Sequence, residues 1–577
     1  MIRLATKNFY AKFKFWLNLP YFIISFFAII AILYFQINHI IVHENSTNID
    51  LPLTVNMWIV TGTCCLTFIY ILINMILKIC VSKMLINETY TIIHRTKIPK
   101  VLPKVVYVYT THDDFMPARL LQNMQQSYEN IEYWISDGSG KDETKQAIDK
   151  FVKQHKNVHL YRMDRPSENK ADNLNSFLNF TKKNFNYLLI GDADVAFDKD
   201  FVKSSLPLFY SKNFTNLVFV SPVVSEYKTN NLYSNIFRIF DNVILSRIVK
   251  EIINVEEYNE LRSSCGLISM EYLANNSYKF PNSCLEDWYV SNDCMRYNFV
   301  GFANITVNAT ESFDKDYYAS EKRLSRVAEW ATKYTKEYTF KNVNDKNSKY
   351  FNRNFLSHMF FPFVVLVFIL TTVLTITVYI KNFNDIIAKA HTLSAFILNF
   401  AVLATIIILK LSEVWYFSGF KIMCLYATFF LFYITIQLRI KTKSWWNAAV
   451  FSKYSTFVPS HSSHALNNKN VRIFICFLLW IIFTAMLATL IFLCIRYNGF
   501  NNLAIFYCYM LGFVLLFILS MTQFTVLFCQ LISKIKSNPE YDKNRFVCSD
   551  FDYFRVKKVI EKIKKNQKYI ELEDKNV

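Results

Sequence analysis

Between residues 100 and 340 this chain holds its one long polar segment, and apolar runs of bilayer length lie on both sides of it. Two runs precede it, near 19–41 and 57–80, and five follow, near 355–380, 393–412, 415–438, 472–495 and 502–533. Each approaches the roughly 20 apolar residues that a spanning helix needs. A water-soluble core cannot absorb so many such runs, so the pattern predicts a polar domain inserted between transmembrane helices. The composition agrees, with 53% of the 577 residues hydrophobic and 17% aromatic. That is far from the make-up of a disordered chain.

The formal net charge of +19 would suit a nucleic-acid binder, but the basic residues flank the apolar runs and no recognition module is present. The positive-inside bias is the simpler cause. Arg3, Lys7, Lys12 and Lys14 precede the first run, while the loop after it carries Glu44 and Asp50 without Lys or Arg. Both outer ends of that first hairpin are therefore expected on the cytoplasmic side. Lys441, Lys443, Lys453 and Lys469 place the 439–472 loop there too, and so does the Lys-rich tail. Three full crossings over 355–438 would put that loop outside, so the count stands at six or seven spans. The expected organisation is a transmembrane hairpin over 1–99, a cytoplasmic domain over 100–340, a transmembrane region over 341–533 and a basic tail over 534–577, all at the plasma membrane. The 12 Cys form no CxxC pair or His/Cys cluster, which predicts reduced thiols and no zinc site. No cleavable signal peptide and no obligate protein partner is evident.

Within the polar segment, Val105–Thr111, Ile131–Ser136, Val158–Met163, Tyr187–Ile190 and Leu217–Val223 read as buried strands, and Asp142–His155, Asn169–Lys183 and Phe201–Phe209 as helices. The βαβαβ order predicts a largely parallel α/β sheet covered on both faces. Ligands in such sheets sit at the carboxyl ends of the strands. The chemically capable residues fall at those ends. Thr111 closes the first strand. Asp137 follows the second, where it can accept hydrogen bonds from a base or ribose, with Gly138 permitting a tight turn. Lys170 opens a helix and is a candidate for neutralising phosphate. Asp192-Ala193-Asp194 follows the apolar run Tyr187-Leu188-Leu189-Ile190-Gly191. On an extended backbone its two carboxylates project the same way and face one Mg²⁺ or Mn²⁺ or one nucleotide. Glu286-Asp287-Trp288 offers a carboxylate to take a proton from an acceptor hydroxyl, and Asp287 also suits a helix N-cap. Arg323, Arg326 and Trp330 share one helix face, which fits either diphosphate and sugar contacts or an interfacial helix.

In order and spacing these segments resemble a family 2 glycosyltransferase of the membrane-integrated synthase type, the group of cellulose, hyaluronan and poly-N-acetylglucosamine synthases. Ser136-Asp137-Gly138-Ser139 resembles the base-binding Asp-Gly-Ser region, and Lys170-Ala171 with Leu174-Asn175 the Lys-Ala and Leu-Asn segment. Asp192-Ala193-Asp194 resembles the metal-binding DxD, and Ser263-Ser264-Cys265-Gly266 the acceptor-side turn. Leu285-Glu286-Asp287 is similar to Thr-Glu-Asp, whose Asp is the catalytic base. The resemblance implies a Rossmann-like GT-A domain, with Asp287 and Glu286 catalytic. Thr111, Asp137, Lys170, Asp192, Arg323 and Arg326 would bind the nucleotide, and Asp192 and Asp194 would bind Mg²⁺ or Mn²⁺. Cys265, Gly266, Trp288 and Trp330 would meet the acceptor. Ser136 and Leu285 depart from the usual Asp and Thr. The processive Gln-x-x-Arg-Trp motif is changed to Arg323-Leu324-Ser325-Arg326-Val327, with Trp330 one turn later.

The implied activity is inverting transfer from a UDP-sugar into a β-linked extracellular or capsular polysaccharide, with translocation of the product among membrane lipids. The alternative is transfer of one sugar to a polyprenyl phosphate or glycolipid, which the changed motif favours. A transporter with a regulatory domain is disfavoured because the apolar runs carry few ionisable residues.

Overall fold

The structure is a computed structural model that describes residues 50–227, 231–244, 265–336, 420–454 and 503–533, with gaps of one or two residues, and isolated positions elsewhere. The apolar runs near 19–41, 355–380 and 472–495 lie wholly or largely outside the described residues, as do half of the run near 393–412 and the basic tail.

The chain enters through one helix, α1 (Asp50–Arg95). Alternation of strand and helix then begins: β1 (Val105–Thr111), α2 (Pro117–Asn123), β2 (Ile131–Asp137), α3 (Asp142–Gln154), β3 (Val158–Arg162), α4 (Lys170–Phe180) and β4 (Tyr187–Gly191). Next come β5 (Ala196–Phe197), α5 (Phe201–Tyr210), β6 (Leu217–Tyr227), α6 (Leu232–Ile244), β7 (Gly266–Ser269), α7 (Met270–Asn275), α8 (Glu286–Arg296), β8 (Val300–Ser312) and α9 (Tyr317–Tyr334). Among the described residues two long apolar helices follow, α10 (Phe420–Trp445) and α11 (Leu503–Ile532).

One eight-stranded sheet organises the domain, in the order β3-β2-β1-β4-β7-β6-β8-β5. Its first half matches the sequence reading: β2 and β4 flank β1 in parallel, with Tyr107 opposite both Tyr133 and Leu189. The second half qualifies it. β6 and β8 pair in parallel, but β7 runs antiparallel to β4 and β6, and β5 antiparallel to β8, so the sheet is largely parallel yet mixed. These strands escaped the pattern because β7 has four residues and β5 two. β8 is interrupted by Asn304, Thr306, Asn308 and Thr310, which break its apolar signal.

The side-chain alternation of β1 builds both layers of the core. Tyr107 and Tyr109 join Ile148 and Phe151 of α3 on one face. Val106 and Val108 meet Leu174, Phe177 and Leu178 of α4 on the other. Helix α4 starts where it does because the Asn169 side chain accepts from the Asp172 backbone N–H, satisfying an otherwise unpaired donor.

The apolar helices are joined to this domain. The last turns of α1 bury Leu77, Val81, Leu85, Ile86 and Ile92 against Leu208, Val220 and Phe302. Above that contact, Trp58, Ile69 and Ile76 are exposed. The segment Trp58–Arg95 is long and apolar enough to cross a membrane, and Met423–Phe430 with Thr435–Val450, bent by 48°, adds a second if the two count as one span. Residues of α6, α9, α10 and α11 share a further cluster, in which Phe240 stacks on Tyr433 at 4.5 Å.

Candidate active site

The carboxyl ends of β1, β2 and β4 come together at one edge of the sheet, and the first turns of α4 and α8 close over them. At the end of β1 the chain turns sharply through Asp113, whose φ is 61°. That left-handed conformation is one Asp tolerates because its short side chain bonds locally. The Asp113 carboxylate accepts from Lys141 N at 2.8 Å, tying this turn to the start of α3. Thr111 is buried, and its hydroxyl donates to Asp114 at 2.9 Å, so its polar group serves the turn. Burial pushes the Asp114 carboxyl up to about 6, and the nearby charges of Asp194 and Asp192 add to the rise. This turn therefore faces the two DxD carboxylates.

Asp137 at the end of β2 is completely buried. One carboxylate oxygen accepts from Arg162 Nε at 2.7 Å and the other from Ser139 N at 2.9 Å. Arg162 is held in turn by Asp149 of α3 at 2.9 Å. The sequence reading gave Asp137 to base or ribose; the structure places it in an ion pair that fixes the loop beside the site. Gly138 is required where it stands, because a Cβ there would lie 2.3 Å from Ser167 Oγ. Asn173, missed in the sequence, ties three pieces together: its amide donates to Ser136 O at 3.0 Å and to Thr111 O at 3.3 Å, and its oxygen accepts from the Ser136 hydroxyl. Ser136 stands where the resembling family has Asp, and Asn173 supplies its partner.

Asp192-Ala193-Asp194 does not continue β4. Val195 N bonds back to Asp192 O at 3.0 Å, so the triplet is a turn and the expected extended backbone is corrected. The turn separates the environments of the two carboxylates. Asp192 is bonded by Lys170 Nζ. Asp194 accepts from both the N–H and the hydroxyl of Ser312, at the end of β8. The β5–β8 pairing, which aligns Ala196 with Thr310, brings Ser312 back to that position. Two residues on, Asp314 accepts from Arg323 Nε at 2.7 Å. Arg323 thus reaches this region through an ion pair, with its guanidinium also over the Phe313 ring. Arg326 lies one turn further along the same helix.

Glu286 and Asp287 open α8, where the helix dipole favours carboxylates. Glu286 is buried and Asp287 half-buried. The Asp287 carboxyl is raised to about 7, mainly by burial and then by the neighbouring Glu286 and Asp192 charges, against the lowering effect of Lys170. Asp192, Asp287 and Lys170 therefore sense one another across a common site. Trp288 packs edge-on against Tyr334 at 4.9 Å, and Trp330 joins the same cluster beside Tyr454. Cys265 and Gly266 are buried at the start of β7, where a Cβ on Gly266 would lie 2.9 Å from Val220 O. At Gly266 the close approach of β6 needs a glycine. Ser263 and Ser264 lie outside the described residues.

Among the described residues no group of three or more His, Cys, Asp or Glu forms a metal cage. Asp192 and Asp194 nonetheless supply hard carboxylate oxygens. Mg²⁺ commonly uses one or two of these, completing its shell with phosphate and water. The residues fit such an ion.

Residues 105–270 match the family described as Glycosyl transferase family 2, from β1 through the start of α7. This segment is a family 2 glycosyltransferase domain. Its mixed sheet, in which only β7 and β5 run against the other strands, is GT-A-like. The glycosyltransferase match ends before Glu286 and Asp287, so those two belong to the site by their place in the fold. Among solved structures, GalNAc-T7 with UDP, GalNAc and Mn2+ resembles 37% of this chain over 45% of its own length, at 9% identity and a TM-score of 0.28. S. aureus TarS 1–349 resembles 63% of this chain over 97% of its own, at 12% identity and a TM-score of 0.29; its UDP complex gives 0.28. Likeness at that level says nothing about substrate. No curated protein matches the chain.

Proposed function

We propose that this chain is an inverting membrane glycosyltransferase that adds sugar from a UDP-sugar to the end of a β-linked extracellular or capsular glycan and passes the product across the bilayer. The observation that carries this reading is Lys170 bonded to Asp192 at the start of α4, with its neighbour Asn169 bonded to Asn282 on the loop that leads into Glu286 and Asp287. A proton acceptor beside a cationic, carboxylate-lined pyrophosphate site is what direct displacement needs. The acceptor hydroxyl forms its bond to the anomeric carbon while the bond from that carbon to the diphosphate oxygen breaks. UDP leaves with the electron pair, and the hydroxyl proton goes to Asp287. Held by Asp192 and Asp194, Mg²⁺ or Mn²⁺ would neutralise the charge developing on the diphosphate. Trp288 and Trp330 give apolar faces suited to a sugar ring.

The membrane part of the reading is supported by α1. Its residues 50–76 precede the domain contact and extend roughly 40 Å at 1.5 Å per residue, more than a hydrocarbon core of about 30 Å. The cytoplasmic placement of the domain follows from the charge bias of the flanking loops. A single transfer to a polyprenyl phosphate or glycolipid is the second reading. In its favour, Val327, 40% exposed, stands where the processive motif carries Trp.

Membranes containing the full chain should release UDP from one of a panel of UDP-sugars, and Asp287→Asn should stop release at unchanged protein level. Undiminished turnover in that variant removes Asp287 from the reaction. Long products on a sizing gel support polymerisation, whereas one lipid-linked sugar supports the second reading.

A further inference from the structure

Lys170 is surrounded by acid. Its ammonium is bonded to Asp192, and the charges of Glu286 and Asp287 also act on it. The side chain is only 11% exposed, so it is held among these carboxylates instead of extending into solvent. Its position is fixed by the fold. Asn169 caps α4 immediately before it, and the Asn169 amide donates to Asn282 Oδ1 at 3.0 Å, on the loop that leads into α8. Lys170 is thereby clamped between the DxD turn and the first turn of α8. Three carboxylates converging with no cation among them would repel one another at low dielectric.

We propose that Lys170 is a tethered counter-ion that occupies Asp192 in the free enzyme and yields it to a divalent cation only when a nucleoside diphosphate arrives to receive the ammonium. The proposal rests on the reading of Asp192 and Asp194 as the cation-binding pair. An ammonium and a divalent ion compete for the same carboxylate oxygen. The donor diphosphate supplies new oxygens to which a long, flexible lysine can turn. The consequence is coupled binding: the cation binds weakly alone and more tightly with UDP, and the coupling runs through the Lys170 charge.

The test is Mn²⁺ binding to the detergent-purified full-length protein, followed by the EPR signal of free Mn²⁺, with and without UDP. Wild type should bind Mn²⁺ about tenfold more tightly when UDP is present, within the range usual for coupled sites. Lys170→Gln should bind Mn²⁺ about tenfold more tightly than wild type without UDP, and UDP should add little, because the competing charge is gone. Lys170→Arg, which keeps the charge, should retain the wild-type coupling. Asp192→Asn should lose the site in every background. If Lys170→Gln binds Mn²⁺ no more tightly than wild type without UDP, while wild type still binds with UDP, the counter-ion role is overturned and the cation reading stands. If wild type binds no Mn²⁺ even with UDP, the cation reading itself falls. Circular dichroism on each variant identifies a failure to fold, and the Lys170→Arg comparison then decides the outcome on a chain that keeps the charge.

Discussion

Asn175 and Phe280, 105 residues apart, exchange two hydrogen bonds: the Asn175 amide donates to Phe280 O at 3.0 Å, and Phe280 N donates to Asn175 Oδ1 at 2.7 Å. A side chain in the middle of α4 thus behaves as a strand partner for the loop that ends in Glu286 and Asp287. Lys170 lies on the same helix, so one rigid element places the cation and the acid pair together. Asn175→Ala should cost about 1–3 kcal/mol, since it removes two bonds to a partly buried backbone. It should also lower kcat more than it weakens UDP binding, because α8 loosens while the DxD turn does not. Thermal unfolding together with a UDP titration checks both halves; equal losses in kcat and UDP affinity would refute the split.

The Asp287 carboxyl, raised to about 7 by burial and by Glu286, must be ionised to accept a proton. Activity should therefore rise with pH through about 7 and fall away below it. Glu286→Gln removes a charge that raises the carboxyl, so the inflection should move to lower pH. Lys170→Gln removes a charge that lowers it, so the inflection should move up. A kcat/KM profile for UDP release against pH in the three proteins reads these shifts. Asp287→Asn should reduce turnover by about 10²–10⁴-fold, the usual worth of a general base.

Ser312 donates twice to Asp194 from the far end of β8. Ser312→Ala removes the hydroxyl donor and leaves the backbone one. Mn²⁺ affinity in the presence of UDP should drop about tenfold, the lower end of the 10- to 100-fold commonly lost with a supporting partner of a metal ligand. Ser312→Thr, which keeps the hydroxyl, should restore it. A variant that binds Mn²⁺ as wild type does would mean that the backbone N–H suffices.

Gly138→Ala would set a methyl against Ser167 Oγ and Cβ, at 2.3 and 2.6 Å. Overpacking of this kind costs about 1–3 kcal/mol. The second change Ser167→Gly should recover most of that loss, and urea unfolding of the single and double variants measures the recovery. If the double variant is no more stable than Gly138→Ala, the strain lies elsewhere.

Much of the fold was legible along the chain. The strands β1 to β4 and the helices α3 and α4 follow from apolar runs punctuated by Asp, Gly and Asn, and their parallel pairing follows from the alternation, whereas the seven-residue α2 between β1 and β2 was not read. The two antiparallel strands, β7 and β5, were not legible. A four-residue strand such as Gly266–Ser269 carries no period, and its direction shows only in its pairing with β4 and β6. The site divides in the same way. The candidate residues were visible as types, but the partners that decide their state were not: Arg162 on Asp137, Ser312 on Asp194 and Asn173 on Ser136 are all distant in sequence.

The amino-acid sequence by itself determined which segments are apolar enough for membrane or core and which strand ends carry carboxylates, because both are local consequences of side-chain chemistry. Only the tertiary structure decided that Asp192 turns away from an extended path to meet Lys170, and that Asp287 shares their field. Burial and charge coupling depend on distances between elements far apart in the chain, and no local pattern encodes those distances.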